Sequence, residues 1–193
     1  MQKTLVFVLF LLCVTNVWSQ KKNEPVKFDP TVKTLDEAMT VKTGKMFYVG
    51  KVTNGCEGGD TAAVGYTRTG LRALSPLVSE SDPATAAKNS LINVLKDKKI
   101  YTSDPSSANY TIEATVLKFK LEEESKFLHQ TMKSTVAIEV KITDPYDTAR
   151  VHKFKVESLG ERTAFDTTKH AGSVMRQALQ GVISEVLKSM NNL

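Results

Sequence analysis

Two acidic side chains in a glycine-rich stretch offer the clearest opportunity for ligand chemistry. Glu57 and Asp60 lie in Asn54-Gly55-Cys56-Glu57-Gly58-Gly59-Asp60, where carboxylates could hold a cation and the glycine backbone could hold an anion. The acidic spacing differs from that of a calcium loop, and the lysine and following helix of a phosphate loop are missing. We keep Glu57 and Asp60 as ligand-binding candidates, although a flexible connection explains the glycines better.

Two arginines follow the same stretch. Arg68 and Arg72 flank Gly70, and their guanidinium groups could bind a carboxylate or a phosphate. No other cluster in the sequence converges on them, so exposed loop arginines are the simpler interpretation. We keep Arg68 and Arg72 as ligand-binding candidates of the same kind.

Cysteine and histidine provide the other reactive groups. A nucleophilic Cys56 would need a nearby base, but none of His129, His152 and His170 lies in the sequence context of a known cysteine enzyme. The histidines also lack the spacing of zinc ligands. We therefore predict no catalytic residues, no metal site and no cofactor, and we interpret the chain as a protein that is not an enzyme.

Composition narrows the class of partner. The chain has 193 residues and a net charge of +5 at pH 7, and its lysines are spread over many segments. Aromatic and basic residues do not interleave in a nucleic-acid-binding module, so we predict no nucleic-acid partner. The length suits a single domain with a leader.

The N-terminus has the features of a secretory signal peptide. Lys3 precedes the apolar run Leu5–Val14, and Val17-Trp18-Ser19 supplies a cleavage site, so we assign residues 1–19 as the signal peptide. The run is too short for a spanning helix, which needs ~20 residues. Cys13 follows bulky residues, which disfavours lipidation. These features predict an exported protein, periplasmic or outer-membrane associated and not lipidated, with peripheral or no membrane contact.

The first half of the chain shows few regular elements. Residues 20–44 are polar and contain prolines, which predicts an extended N-terminal segment. Met46–Val52 is a run of strand-forming residues and predicts a buried strand. Asn54–Gly70 holds five glycines and predicts a long loop, and Leu71–Ser81 is expected to be irregular because Pro76 disfavours a helix.

The second half alternates between helical and strand patterns. Asp82-Pro83 supplies a cap and a first-turn proline for a helix that ends near Lys98. Period-two alternation from Asn109 predicts a strand, and its change of phase at Val116-Leu117 predicts a β-bulge. We interpret Glu122-Glu123-Glu124 as a solvated bend. Two further strands are predicted, with the alternating residues Met132, Val136, Ile138, Val140 and Ile142, and then His152, Phe154 and Val156.

The final helix organises the predicted fold. It is predicted over Asp166–Met190, with Asp166 and Thr167 as capping residues. Its apolar stripe, spaced by three and four residues, consists of Ala171, Val174, Met175, Ala178, Leu179, Val182, Ile183, Val186, Leu187 and Met190. The element order β-α-β-β-β-α predicts a single α+β domain over residues 45–193, with two layers, a mainly antiparallel sheet and both helices on one face.

Four stretches carry a resemblance to a known family: Phe47-Tyr48-Val49-Gly50-Lys51-Val52, Val64-Gly65, Ala84–Lys98 and Ala108-Asn109-Tyr110-Thr111-Ile112. In this order, and with the closing helix, they resemble the YajG-like envelope lipoproteins and related auxiliary proteins of bacterial transport systems. The resemblance implies a bacterial envelope location and carries over no catalytic residues.

These observations favour an exported noncatalytic protein of the cell envelope that acts through contacts with an envelope protein, as an auxiliary of a transport or assembly system. The alternative is a periplasmic ligand-binding module for a lipid, glycan or peptide, held between the final helix and the sheet or in Asn54–Gly70. An enzyme built on Cys56 or the histidines is a third hypothesis. The sequence leaves the oligomeric state open.

Overall fold

The computed structural model describes residues 24–35, 44–56, 63–69, 73–125, 129–147, 149–164 and 168–193. Within these ranges the strands are β1 (Val26–Phe28), β2 (Phe47–Asn54), β3 (Ala63–Thr69), β4 (Ala73–Ser79), β5 (Tyr110–Ser125), β6 (Gln130–Thr143) and β7 (Val151–Ala164). The α-helices are α1 (Pro83–Asp97) and α2 (Ala171–Met190), and short 3-10 turns occupy Pro105–Ser107 and Thr168–His170.

The strands form two sheets. The larger has the order β2-β5-β6-β7, in which β2 is parallel to β5 and the other neighbours are antiparallel. The smaller has the order β1-β4-β3 and is absent from the predicted element order. α1 packs on β2 and β5, and α2 packs on β6 and β7, which confirms the predicted α+β class. A register shift between Val116 and Lys118 confirms the predicted bulge.

The smaller sheet overturns two predictions for the first half of the chain. β3 lies inside Asn54–Gly70, where the glycines predict a long loop, and β4 lies inside Leu71–Ser81, where Pro76 predicts irregular structure. β1 pairs only with residues 77–79 of β4, so at Pro76 this side of β4 has no ladder partner among the described strands. Proline fits there because it has no N–H to leave unpaired.

β5 is longer than its pattern predicts. The run Glu122-Glu123-Glu124 continues the strand, so its interpretation as a solvated bend is wrong. Lys133 of β6 lies opposite Glu122 and forms an ion pair with Glu124 at 2.9 Å, while Glu123 accepts a hydrogen bond from Thr67 of β3. Cross-strand partners therefore keep the acidic run extended.

α1 begins and ends for local reasons. The Asp82 carboxylate accepts the N–H of Thr85 at 3.0 Å and Pro83 lies in the first turn, so the helix starts where the sequence predicts. Its C-terminal end is followed by Lys99 with a φ of 60°, in the left-handed region that usually favours glycine.

α2 begins at Ala171, later than the predicted start at Asp166, because Thr168–His170 forms a 3-10 turn in front of it. The predicted caps Asp166 and Thr167 lie outside the described residues. The predicted apolar stripe is confirmed, since all of its side chains are buried. At roughly 1.5–3 kcal/mol for each large aliphatic side chain, this face supplies most of what α2 contributes to stability.

Part of the segment predicted as extended, residues 20–44, packs on the domain. β1 pairs with β4, and Val32 is fully buried. The N–H of Val32 donates to Ser90 Oγ of α1 at 2.9 Å, and Asn93 Nδ2 donates to the carbonyl of Val32 at 3.1 Å. α1 therefore fixes both polar groups of one residue in this segment.

α2 lies very close to the β6–β7 pair at one point. Ser134 of β6 and Gly160 of β7 face each other in the ladder, and both lie against the carbonyl of Val174. A Cβ on Gly160 would overlap this oxygen, so a residue without a side chain is needed there. At Val174, α2 is therefore centred between β6 and β7, inward of the outer edge of β7.

Candidate functional site

The predicted ligand-binding residues stay predictions. Glu57, Asp60 and Arg72 lie outside the described residues. Arg68 belongs to β3, where its backbone pairs with Leu74 of β4, so it lies in a strand and not in the predicted loop.

Cys56 has the surroundings of a structural thiol. It is half-buried after β2, its N–H donates to the side-chain oxygen of Asn54 at 3.0 Å, and its Sγ lies 3.7 Å from the carbonyl oxygen of Val116. Burial raises the pKa of the Cys56 thiol, which reduces the thiolate fraction at neutral pH. A nucleophilic cysteine requires the opposite shift, so these surroundings do not support the enzyme hypothesis.

The three histidines lie in different segments. His129 precedes β6 and His152 belongs to β7, and both are exposed, whereas His170 is half-buried at the start of α2. In the part of the chain that the structure describes, no three His, Cys, Asp or Glu side chains are grouped closely enough to hold a metal ion.

One face of the larger sheet is polar and exposed. Ile112, Ile138 and Val140 point into the core, and the side chains that alternate with them point away from the helices. We call this outward set the open face; it comprises Lys51, Thr53, Glu113, Thr115, Glu139, Lys141, Lys153 and Lys155. All of these except Lys155 line a shallow recess of about 200 Å³.

Charges on the open face follow cross-strand rows. Glu113 lies opposite Lys141 and forms an ion pair with it at 3.0 Å. Lys141 also lies opposite Lys153, a like-charge arrangement that destabilises a sheet, and Glu139 lies opposite Lys155. Exposed ion pairs contribute at most about 1 kcal/mol to stability. The rows therefore contribute little to the stability of the fold.

β7 forms one edge of the larger sheet. Among the described strands only β6 pairs with it, so backbone N–H and C=O groups along Val151–Ala164 face outward at this edge. Leu159 lies near the middle of the strand and is 69% exposed. A long edge strand with an exposed aliphatic side chain is a typical surface for the addition of another strand.

Sequence reasoning recognises these strands but not the surface that they form. The available signal is the polar set on β6, since Lys133, Thr135, Glu139 and Lys141 alternate with apolar residues. This alternation shows that one face of the sheet is exposed to solvent. It does not show which strand lies at the edge, because the strand order depends on long-range pairing.

A second recess lies between β1 and the start of α2. It has a volume of about 470 Å³ and its lining includes Lys27, Asp29, Lys169 and Arg176. Arg176 donates to the carbonyl of Asp29 at 3.0 Å, which holds the guanidinium at the recess. Hydrogen bonds from Thr31 lower the pKa of the Asp29 carboxyl, so this carboxylate is ionised at neutral pH. Cationic side chains outnumber the acidic one here.

The fold has a counterpart among solved bacterial structures. No protein-family model and no curated protein match the chain. The crystal structure of protein XCC0632 from Xanthomonas campestris, a DUF330 protein, matches with a TM-score of 0.61 and 16% identity, over 83% of this chain and 92% of that one. The two chains therefore share an α+β fold.

Other similar structures include a minor lipoprotein from Acinetobacter baumannii, with a TM-score of 0.39 and 9% identity over 74% of this chain and 92% of that one. The PelC dodecamer from Paraburkholderia phytofirmans gives a TM-score of 0.36 and 14% identity over 75% and 92%. One of these similar structures is thus a bacterial lipoprotein. The resemblance to YajG-like proteins itself stays a prediction.

The predicted signal peptide, residues 1–19, lies outside the described residues, so export and cleavage stay predictions. Neither α1 nor α2, the helices that the structure describes, combines the length and apolarity that a membrane-spanning helix requires.

Proposed function

We propose that this chain is an exported, noncatalytic protein of the bacterial cell envelope that acts through protein contacts, as an auxiliary of a transport or assembly system. The open face carries the proposal. It is a sheet surface on which cross-strand rows of charged side chains surround a shallow recess. The predicted leader and the YajG-like resemblance support the envelope location.

The chemistry of the open face fits a protein surface better than a small substrate. Small-molecule sites are typically enclosed, largely apolar cavities of about 300–1,000 Å³. The recess here is smaller and is lined by lysine, glutamate and threonine side chains. Fixed rows of charge favour partners of complementary charge and speed their encounter, which suits a contact surface.

Site-specific photo-crosslinking tests this function. A photoreactive amino acid replaces Thr115 at the centre of the open face, and a matched variant carries it at Asn89, an exposed position of α1. In cells of the source bacterium we expect a discrete adduct with an envelope protein from position 115 and none from position 89. Equal labelling from both positions contradicts the proposal, as does retention of residues 1–19 on a chain that stays in the cytoplasm.

The recess between β1 and α2 favours the second candidate, a ligand-binding module. Lys27, Lys169 and Arg176 would give it a preference for an anionic lipid, glycan or peptide. A ligand that binds only the folded state raises the melting temperature, so a thermal-shift screen with such compounds tests this function. A genuine ligand should lose its effect on an Arg176→Gln variant. A flat response to all of the compounds removes the candidate.

A further inference from the structure

We infer that the outer edge of β7 pairs with β7 of a second copy of this chain, antiparallel about a two-fold axis at Ser158, so that two four-stranded sheets become one. This inference goes beyond the proposed function, because it concerns self-association and not an envelope partner. It begins from the position of β7 at the end of the strand order, where its outward backbone groups meet no other described strand.

Charge along β7 is self-complementary in the antiparallel direction. Of the outward charged side chains, Lys153, Lys155 and Glu157 precede Ser158 and Glu161 follows it; Glu157 already forms an ion pair with Lys118 of β5 at 3.1 Å. Antiparallel pairing brings the first half of one copy against the second half of the other. An axis at Ser158 places Lys155 opposite Glu161 of the second copy, and symmetry makes this contact twice.

Neighbouring registers are less favourable. In a sheet that continues across the axis, outward side chains of one copy must lie opposite outward side chains of the other. The two-fold axis must therefore pass through a residue and not between two residues, so the alternative registers place it at residues near Ser158. An axis at Glu157 sets that carboxylate against itself, and one at Leu159 sets Glu157 against Glu161. An axis at Val156 avoids like charges but leaves residues 162–164 without partners. The axis at Ser158 pairs residues 152–164 of each copy and sets Glu157 against Leu159.

The helix layer leaves room for a second copy. Because the Val174 carbonyl lies over both Ser134 and Gly160, α2 is centred inward of the edge. Gly181 of α2 lies against Ser158, so no large side chain of the helix is added at the axis.

Burial of Leu159 provides the apolar part of the contact. This side chain is 69% exposed in one copy, and the proposed register brings it beside the methylene groups of Glu157 of the second copy. Ordered pairing of outward backbone groups supplies the rest, as in other strand-addition interfaces.

Charge reversal combined with sedimentation equilibrium of the purified full chain tests the inference. We expect a dimer for the unaltered chain. Lys155→Glu and Glu161→Lys should each weaken it about tenfold, because each removes two attractive contacts and creates two repulsive ones. The double variant should restore it. Lys120→Glu is the matched control: an exposed lysine in β5, two strands inward, whose reversal should leave the dimer unchanged.

Circular dichroism and the melting temperature of each variant establish that it is folded. A monomeric unaltered chain overturns the inference. If the β7 amides of such a monomer exchange slowly with solvent, another segment of the same chain pairs with this edge. A double variant that stays as weak as the single ones also overturns it. Rescue of Lys155→Glu by Glu157→Lys in place of Glu161→Lys overturns the axis at Ser158.

Discussion

Ser134 Oγ donates a hydrogen bond to the carbonyl of Val174 at 2.7 Å, so a buried side chain of the sheet binds the backbone of the helix that covers it. The residue opposite Ser134, Gly160, lies against the same carbonyl without a side chain. Two small residues on neighbouring strands therefore set the height of α2 above the sheet.

Gly160→Ala should be strongly destabilising. Its Cβ would overlap the Val174 carbonyl, which belongs to a helix backbone and cannot rotate away, and overpacking of this kind costs roughly 1–3 kcal/mol. Urea unfolding measures the change. The control is Gly172→Ala, whose Cβ would come no closer than 3.3 Å to Cβ of Phe28. Equal stabilities of the two variants would show that α2 does not sit this close to β7.

Ser90→Ala should cost about 1–3 kcal/mol in the free energy of unfolding, because it leaves the buried N–H of Val32 without its acceptor. Ser189→Ala is the matched control. Both hydroxyls donate to the carbonyl four residues earlier in their helix, but the hydrogen bond of the half-buried Ser189 is exposed to solvent. Hydrogen exchange at Val32 should accelerate only in Ser90→Ala. A control variant with the same loss would trace the effect to the helix and not to the N-terminal segment.

Stability should depend on pH through the cap of α1. Burial opposes ionisation of Asp82, but hydrogen bonds from Thr85 outweigh it and hold the pKa of this carboxyl below its ordinary value of 3.8. The contribution of the carboxylate is therefore complete above that value and is lost as the pH falls through the lower folded-state pKa. Asp82→Asn keeps a capping oxygen without the titration. We expect the stability advantage of the unaltered chain over this variant to shrink in acid, which thermal melts across pH measure; a constant difference would contradict the shift.

Lys99→Gly should stabilise the chain. A φ of 60° costs an L-residue about 1–2 kcal/mol, whereas glycine adopts it freely, and the extra entropy of the unfolded glycine offsets part of the gain. We expect a net gain of up to about 1 kcal/mol in chemical denaturation. Lys98→Gly, at a φ of −80°, provides the control and should destabilise. The reverse order of stabilities would indicate a different end for α1.

Cys56 should react slowly with thiol reagents in the folded chain. Burial raises the pKa of this thiol above its ordinary value of 9.0, so the reactive thiolate forms at higher pH than in an unfolded peptide. Alkylation rates measured across pH, with peptide mapping to separate Cys56 from Cys13, should rise at a higher pH in the folded chain than in urea. Faster reaction of the folded chain near neutral pH would revive the nucleophile hypothesis.

Periodicity predicts the parts of this fold that depend on one element at a time. The buried face of α2 follows from its spacing, and the bulge after Val116 follows from a change of phase, because both signals are local. β4 is missed because Pro76 disfavours regular structure in the local sequence. Pro76 is tolerated in the strand because β1 pairs only with residues 77–79, which the local sequence does not reveal. The extension of β5 through Glu122-Glu123-Glu124 depends on Lys133 and Thr67, which are distant in sequence.

The candidate site likewise separates what local sequence predicts from what depends on long-range pairing. Composition singles out Glu57, Asp60, Arg68 and Arg72, which lie together in the sequence. The open face gathers its residues from four strands, so no window of the sequence contains it. Alternation on each strand indicates a wet face, but the rows of charge exist only once the register is set.

The parallel pairing of β2 with β5 has a consequence for biosynthesis. The ribosome delivers β2 long before β5, since β3, β4 and α1 lie between them in the chain. β5, β6 and β7 are consecutive in the chain, so each can pair with the preceding strand soon after it is made. β2 cannot pair until β5, its neighbour in the sheet, has been made. Phe47 and Val49, buried in the finished domain, therefore lack the neighbouring strand until β5 has been made, although α1 is available earlier to pack on β2. That interval is when a holdase chaperone would engage them.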